Sequence, residues 1–222
     1  MRFYYDDSTN DVNLCCFQTK LKYGFEYIGV VKKLVVTSLT ERMHLIYMTA
    51  LRMSLGGAAI GPAGTGKSES TKDLAMMCGK ALILYNCSDY MSSETFTRLL
   101  KGMVIIGSWM CFDEFNRFGH QILSVVGEQL SMLFRFRSSQ NKKLVDFGRE
   151  TIMLRPDFQL FISYNPGYSG RKRISTALLN NFRTITMLNT DKKAIYTLLL
   201  FCVGFTEGDS LAQILFNFGD IC

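Results

Sequence analysis

Residues 61–68 of the chain read GPAGTGKS, that is Gly61, Pro62, Ala63, Gly64, Thr65, Gly66, Lys67 and Ser68. This octapeptide fits G-x-x-x-x-G-K-[ST] at every fixed position. Its glycines allow a tight backbone turn that points N–H groups at phosphate oxygens. Lys67 offers a positive charge to the β- and γ-phosphates, and the Ser68 hydroxyl is a ligand for Mg²⁺. The octapeptide therefore predicts a phosphate-binding P-loop.

The segments on both sides of this loop are those that a P-loop requires. Ala58–Ile60 is a short apolar strand, and a helix from about Lys67 to Cys78 adds its positive N-terminal end to the site. Strand-like segments then alternate with helical ones, and the further strands are expected at Ala81–Tyr85, Trp109–Asp113, Phe158–Tyr164 and Thr184–Leu188. Such alternation predicts a three-layer α/β domain with a mostly parallel sheet.

The rest of the chain divides into three kinds of segment. Residues 1–36 contain the strand-like pieces FYY, VNLCCF and LVV, so a short β-rich region precedes the domain. From Leu39 onward, apolar residues recur at helical spacing until Gly56. Residues 135–155 are polar and basic, which indicates a hairpin or a loop insertion. Ile195–Phe205 is apolar but too short to span a membrane, and it is expected to be a buried helix.

An acidic pair follows the apolar strand Trp109–Asp113. Asp113 is expected to hold Mg²⁺ through water, and Glu114 to orient or deprotonate an attacking water. The alternative is an acidic helix N-terminus that the macrodipole favours. Asn165 ends another strand, where it could sense the γ-phosphate or simply form an Asn-Pro turn.

Composition excludes several other classes of function. The net charge is +6, but the basic residues are spread out, and the densest group is only Arg171–Arg173, so nucleic-acid binding is not expected. Seven cysteines without a CxxC pair, and two histidines, do not indicate zinc or a disulfide framework, which favours reduced thiols in the cytosol. The N-terminus has no apolar signal region, and no membrane partner is expected.

Longer motifs carry a family resemblance. GPAGTGKSESTKDLA, CFDEFNR and NPGYSGR occur in this order, and YGFEYIG and LVVTSLTER precede them. Together with LLNNFR, they resemble the first AAA+ module of a dynein heavy chain over about residues 20–205. Residues 1–27 resemble the end of the linker before the ring, residues 28–205 the large ATPase subdomain, and residues 206–222 the start of a truncated C-terminal helical segment.

The resemblance implies ATP and Mg²⁺ as cofactors and hydrolysis that drives minus-end-directed movement on microtubules. Lys67, Ser68, Asp113 and Glu114 match the Walker motifs, with Glu69 beside them, and Asn165 matches the first sensor. Leu39 and Thr40 fall in the segment that contacts adenine, and Arg183 matches an arginine that faces a neighbouring module's nucleotide. KDLA and NCSD favour an axonemal over a cytoplasmic dynein, and so a cytoskeletal location in the cilium axoneme.

The implied partners are the remaining AAA+ modules, microtubules and dynein intermediate and light chains, all through regions outside these 222 residues. Since most of the helical lid is not within it, we expect a fragment, a truncated isoform or a partial gene model of a longer motor chain, and a truncated non-motor product is the alternative. The sequence also departs from the family: Ser38 replaces a proline, Ser163-Tyr164 replaces Thr-Met, and residues 171–175 replace a more acidic stretch.

Two other functions remain open at this point. One is a structural module that binds ATP without turnover, against which the presence of Glu114 argues. The other is a GTPase or a small-molecule kinase. The segment Asn189–Lys192 does not fit the guanine-reading pattern N-K-x-D, and the acidic pair suits an ATPase better.

Overall fold

The computed structural model of the chain describes residues 1–30, 33–138, 144–147, 150–167 and 173–221. The strands are β1 (Arg2–Asp6), β2 (Asp11–Cys16), β3 (Thr19–Lys22), β4 (Gly56–Ile60), β5 (Leu82–Asn86), β6 (Trp109–Asp113), β7 (Leu144–Phe147), β8 (Glu150–Met153), β9 (Gln159–Tyr164) and β10 (Phe182–Thr186). The helices are α1 (Ser38–Arg52), α2 (Lys67–Met77), α3 (Ser93–Ile106), α4 (His120–Ser138), α5 (Thr176–Leu179), α6 (Lys192–Val203) and α7 (Gly208–Ile221), with a 3-10 turn at Phe115–Arg117.

The centre is a five-stranded parallel sheet with the strand order β10-β4-β9-β6-β5. Helices α1 and α2 cover one face of this sheet, and α3, α4 and α5 cover the other. Strands β4, β6 and β9 are therefore buried almost throughout, which explains why they read as continuous apolar runs. The predicted three-layer α/β architecture is confirmed.

Helix α1 begins where the apolar spacing predicts. The Thr37 hydroxyl accepts a hydrogen bond from the Thr40 N–H at 3.3 Å, and the Thr40 hydroxyl accepts one from the Thr37 N–H at 2.9 Å. This capping box satisfies two helix-end donors, so Ser38 in place of proline leaves the helix start intact. The buried face packs on the sheet, where the Tyr47 ring stacks on Phe161 with centroids 4.7 Å apart.

The N-terminal strands β1, β2 and β3 form a separate antiparallel sheet that packs on α1. Leu14 is fully buried in the α1–α2 side of the core, and the Thr19 hydroxyl donates to the Met48 carbonyl at 3.2 Å. Strand β3 was not predicted, because its sequence TKLK is mostly polar. The expected strand at Leu34–Val36 is wrong: these apolar residues pair with no strand in the part of the chain that the structure describes, and strand propensity needs a partner.

Two expectations about the later segments also change. The polar region does contain a hairpin, β7 with β8, although residues 135–138 belong to α4. The expected buried helix at Ile195–Phe205 is wrong, because α6 has no buried residue and packs mainly against α7. The apolar composition of a helix indicates that it packs against another surface. It does not show how much of that surface the rest of the chain provides. No helix within the described ranges is long and apolar enough to cross a membrane.

The segment after β3 ties the N-terminal sheet to the end of α2. The N–H groups of Gly24 and Glu26 donate to the carbonyls of Cys78 and Gly79, at 3.0 and 2.9 Å. These bonds satisfy the carbonyls of the two residues that directly follow α2, for which the helix offers no donor. Gly79 has a φ of +61°, and a Cβ there would lie 2.5 Å from the Tyr23 ring.

We expect Gly79→Ala to destabilise the chain by about 2 kcal/mol or more, because it combines left-handed strain with a clash against Tyr23. Gly102→Ala is the matched control. Gly102 lies inside α3, and a Cβ at this position would have no other atom within 4 Å, so alanine should stabilise by about 0.5–1 kcal/mol. Urea unfolding of both variants measures the difference, and equal effects would contradict the packing described.

Helices α1 and α2 also share a buried polar contact. His44 Nε2 lies 3.3 Å from the Ser70 carbonyl oxygen, to which it can donate, and 3.8 Å from Asp73 Oδ2. Burial holds the pKa of His44 below its ordinary value, while the Ser70 carbonyl and the Asp73 and Glu41 carboxylates oppose this shift. Because the folded state binds this proton less readily than the unfolded state, protonation favours unfolding.

The His44 contribution to stability should therefore be complete above the ordinary histidine pKa of about 6.5 and decrease as the pH falls below it. His44→Gln keeps an N–H donor at a similar reach but does not titrate. We expect the free energy of unfolding to fall less steeply for this variant than for the wild type between about pH 7 and pH 5. Parallel pH profiles from urea unfolding would show that His44 does not titrate in this range.

Candidate active site

The strands that precede the predicted site residues end together. Ile60 of β4 pairs with Tyr164 of β9, and Phe112 of β6 pairs with Ile162. Because the three strands are parallel neighbours, the residues that follow them meet at one edge of the sheet. The structure therefore brings the P-loop, the acidic pair and Asn165 together, as their positions in the sequence predicted.

The P-loop backbone explains its glycines individually. Gly64 and Gly66 have φ values of +76° and +77°, a conformation that favours glycine. Gly61 has a different reason: a Cβ there would clash with the Met187 carbonyl oxygen. The Thr65 hydroxyl donates to the Pro62 carbonyl at 3.0 Å, which closes the turn. Pro62, Ala63 and Gly64 form the exposed outer side of the loop.

Lys67 folds back onto this loop. Its Nζ donates to the carbonyls of Gly61 and Pro62 at 3.0 and 2.6 Å, and the residue is only 8% exposed. Burial lowers the pKa of Lys67, and the carboxylates of Asp113 and Glu114 partly oppose this shift. The ammonium group therefore lies within electrostatic reach of both members of the acidic pair.

Ser68 and Glu69, the two residues after Lys67, differ in their exposure to solvent. Ser68 is half-buried in the first turn of α2. Glu69 is exposed, and its carboxylate forms an ion pair with Lys72 at 2.5 Å. Both lie in the positive first turn of the helix, where an anion is stabilised. Their contacts with a nucleotide stay a prediction.

Asp113 and Glu114 are held by different partners. Asp113 Oδ1 accepts hydrogen bonds from the Ser163 hydroxyl and, at 3.1 Å, from the Glu114 N–H. Glu114 has a φ of +53°, in the left-handed region, and its carboxylate forms an ion pair with Arg117 in the following 3-10 turn. A non-glycine residue in this conformation is uncommon, and it directs the side chain out of the strand that ends at Asp113.

Asn165 is buried directly behind this pair. Its backbone carbonyl accepts a hydrogen bond from Asn116 Nδ2 at 2.9 Å. Within the described part of the chain, the side-chain oxygens of Asn116 and Asn165 are buried without a hydrogen-bond partner. Buried polar atoms are rarely left unpaired, so two of them at one edge of the sheet are consistent with a site that takes a polar ligand.

Leu39 and Thr40 lie at the start of α1. The Thr40 hydroxyl is engaged in the capping box, where it also donates to the Thr37 carbonyl at 2.9 Å, and Leu39 packs against the apolar core. The hydroxyl therefore has a structural partner already. A contact of either residue with adenine stays a prediction.

Arg183 is exposed on the edge strand β10, far from the P-loop end of the sheet. It pairs with Gly57, whereas Thr186 pairs with Ile60 immediately before the loop. Three residues of strand place Arg183 about 10 Å from the carboxyl edge. The structure does not bring Arg183 to the site that contains Lys67. Residues 171 and 172, where the basic group begins, lie outside the described residues.

The sequence motifs and their chemistry locate the site. A cavity of about 870 Å³ lies between α4 and α5, where Leu123, Met132 and Leu178 are among its lining residues. It is separate from the P-loop. The sequence motifs predicted no role for three residues at the sheet edge: Asn116, Arg117 and Ser163. Asn116 and Arg117 lie inside the quoted CFDEFNR motif, so their proximity to Glu114 was available from the sequence, whereas the contact of Ser163 depends on strand order.

A P-loop lysine beside an acidic pair, at the carboxyl edge of a parallel sheet, defines a P-loop nucleoside triphosphatase. The family model for the hydrolytic ATP-binding site of the dynein motor region matches residues 23–222. The chain therefore belongs to this family, whose members bind and hydrolyse ATP. The alternative of a GTPase or a small-molecule kinase has no support from this match.

Individual relatives agree with the family match. The chain is 36% identical to dynein axonemal heavy chain 5 of Rattus norvegicus, over all of the chain and 6% of that protein. It is 39% identical to dynein axonemal heavy chain 3 of Mus musculus, over 96% of the chain and 5% of that protein. It is 38% identical to the flagellar outer-arm dynein gamma chain of Chlamydomonas reinhardtii, over all of the chain and 5% of that protein. The chain thus spans about one twentieth of the length of these relatives.

Proposed function

We propose that Lys67, Ser68, Asp113, Glu114 and Asn165 form the site at which this module binds ATP with Mg²⁺ and hydrolyses it. One observation carries the proposal: the parallel strands β4, β9 and β6 end at the same edge of the sheet, so the P-loop with Lys67 lies beside the segment that carries Asp113 and Glu114. A phosphate-binding cation and a metal-binding acidic pair are the two halves of a P-loop site. The hydroxyl and carboxylate oxygens present are donors that suit Mg²⁺.

The P-loop would bind the phosphates of ATP and orient them. Its N–H groups and the N-terminus of α2 would bind the phosphates, and Lys67 would exchange its bonds to the Gly61 and Pro62 carbonyls for phosphate oxygens. Ser68 would hold Mg²⁺ directly and Asp113 through water, and the metal, when bound, neutralises charge on the β- and γ-phosphates. The N–H donors of the Asn165 side chain would contact the γ-phosphate.

Glu114 would orient the attacking water and accept its proton. Its left-handed backbone and its ion pair with Arg117 fix where the carboxylate lies. The same ion pair favours the second candidate function, a module that binds ATP without turnover. A carboxylate oxygen that contacts a guanidinium cannot contact a water in the same direction, so Glu114 must leave Arg117, or share it, before it can act.

The first test separates binding from turnover in the 222-residue chain. We expect Lys67→Ala to bind no ATP at concentrations that saturate the wild type. Lys72→Ala, on the exposed side of the same helix, should bind normally. Titration with a fluorescent ATP analogue measures both variants. Equal binding by Lys67→Ala and the wild type would contradict the proposed phosphate site.

Glu114→Gln should keep ATP binding and lower turnover by about 100-fold or more, because the amide cannot accept the proton. Phosphate release measures turnover, both in the chain alone and in a complete heavy chain that carries this sequence. Undiminished microtubule-stimulated hydrolysis in that heavy chain would contradict the role given to Glu114. An absence of turnover in the wild-type chain and wild-type heavy chain alike would favour the module that only binds ATP.

The wider setting is also part of the proposal. The names of the relatives, axonemal heavy chains and a flagellar outer-arm chain, support a microtubule motor of the axoneme and hence a cytoskeletal location. In such a motor the partners would be the remaining AAA+ modules, microtubules and intermediate and light chains. Residues 1–27 would end the linker, residues 28–205 form the large subdomain, and residues 206–222 begin the helical segment. Arg183 lies away from the P-loop site of its own module, and it would instead face the nucleotide of a neighbouring module.

A further inference from the structure

Ser163 makes an unusual contact for a serine inside a central strand. The residue is 1% exposed, and its hydroxyl donates to Asp113 Oδ1. The hydroxyl could have bonded to a neighbouring backbone carbonyl, as buried serines commonly do, but its partner here is a carboxylate. A hydrogen bond to a charged group is shorter and stronger than one between neutral groups.

Strand order creates this contact. Strand β9 lies between β4 and β6, and Ser163 pairs with Ala59 on one side. On the other side Ile162 pairs with Phe112, so Ser163 lies next to Asp113. Both partners belong to buried strands and not to loops. The position of the hydroxyl is therefore set by the sheet itself.

The bond restricts how the Asp113 carboxylate can turn. Oδ1 accepts from the Ser163 hydroxyl and from the Glu114 N–H, so rotation of the carboxylate would break two hydrogen bonds at once. Because both bonds hold Oδ1, the direction of the other carboxylate oxygen, Oδ2, is fixed as well. Groups that hold a metal-binding side chain in this way commonly change metal affinity by about 10- to 100-fold when removed.

We propose that Ser163 is a positioning residue for Mg²⁺: its hydroxyl holds Asp113 so that Oδ2 accepts a hydrogen bond from a metal-bound water. This inference rests on the proposed role of Asp113. It adds that the motif aspartate alone does not determine metal affinity, since the strand between Asp113 and the P-loop contributes a hydroxyl.

The test compares Ser163→Thr with Ser163→Val in the full 222-residue chain. Threonine and valine have the same shape and the same β-branched preference for a strand, so only the hydroxyl distinguishes the two variants. Ser108→Ala is the control for loss of a buried serine hydroxyl. Ser108 lies at the opposite end of β6, where its hydroxyl has no hydrogen-bond partner among the described residues.

The measurement is binding of fluorescent ADP, first with chelator and then at increasing Mg²⁺, and thermal unfolding reports folding. We expect Ser163→Val to need about 10-fold more Mg²⁺ for half-maximal effect, with metal-free affinity within about 2-fold of wild type. Ser163→Thr and Ser108→Ala should keep the wild-type Mg²⁺ requirement. A purely structural role would instead weaken binding equally with and without Mg²⁺.

Equal Mg²⁺ requirements for the valine and threonine variants would overturn the inference while leaving the proposed site intact. The same conclusion follows if threonine fails to restore the wild-type requirement while both variants unfold at the same temperature. Failure of the proposed function appears differently, as a wild-type chain whose nucleotide binding does not respond to Mg²⁺. That result would overturn the role of Asp113 and this inference with it.

Discussion

The parallel pairing of β4, β9 and β6 positions the site residues and the helices that cover the sheet. It sends three chain segments out of the sheet at the same edge, and each segment begins with a residue that the site needs: Gly61, Glu114 and Asn165. Parallel strands need helical crossovers, so the same pairing requires α2, α3 and α4 to cover the faces. A slip of one residue in β9 would turn Ser163 to the other face of the sheet and break its contact with Asp113.

Helix α2 connects this edge to the N-terminal region, because both of its ends are engaged. Its first turn carries Lys67 and Ser68, and the carbonyls of the two residues that follow its C-terminal end, Cys78 and Gly79, accept hydrogen bonds from the N–H groups of Gly24 and Glu26. Helix ends carry backbone groups that the helix cannot satisfy itself, so they are natural points of attachment. The segment that follows the N-terminal sheet is thus joined through a single rigid helix of 11 residues to the phosphate site.

The charged side chains at the carboxyl edge of the sheet are each paired with another group of the protein. Lys67 is paired with loop carbonyls, Asp113 with Ser163 and Glu114 with Arg117, so each charged side chain already has a partner in the protein. A ligand with phosphate groups and a metal must exchange some of these contacts for its own. Lys67 and Glu114 can exchange their contacts by rotation of their side chains. Asp113 is bonded to Ser163 in a buried strand, so its carboxylate is the least mobile of the three charged groups.

Local residue spacing was enough to predict the P-loop, the acidic pair and the alternation of strands and helices. The motifs also indicated the family, which the match over residues 23–222 shows. Which residues meet depends on the folded chain. Apolar content did not show that α6 would have no buried residue, or that residues 34–36 would pair with no strand among the described residues. The contact of Ser163 with Asp113, 50 residues apart, likewise required strand order, since residues distant in sequence become neighbours only through the register of the sheet.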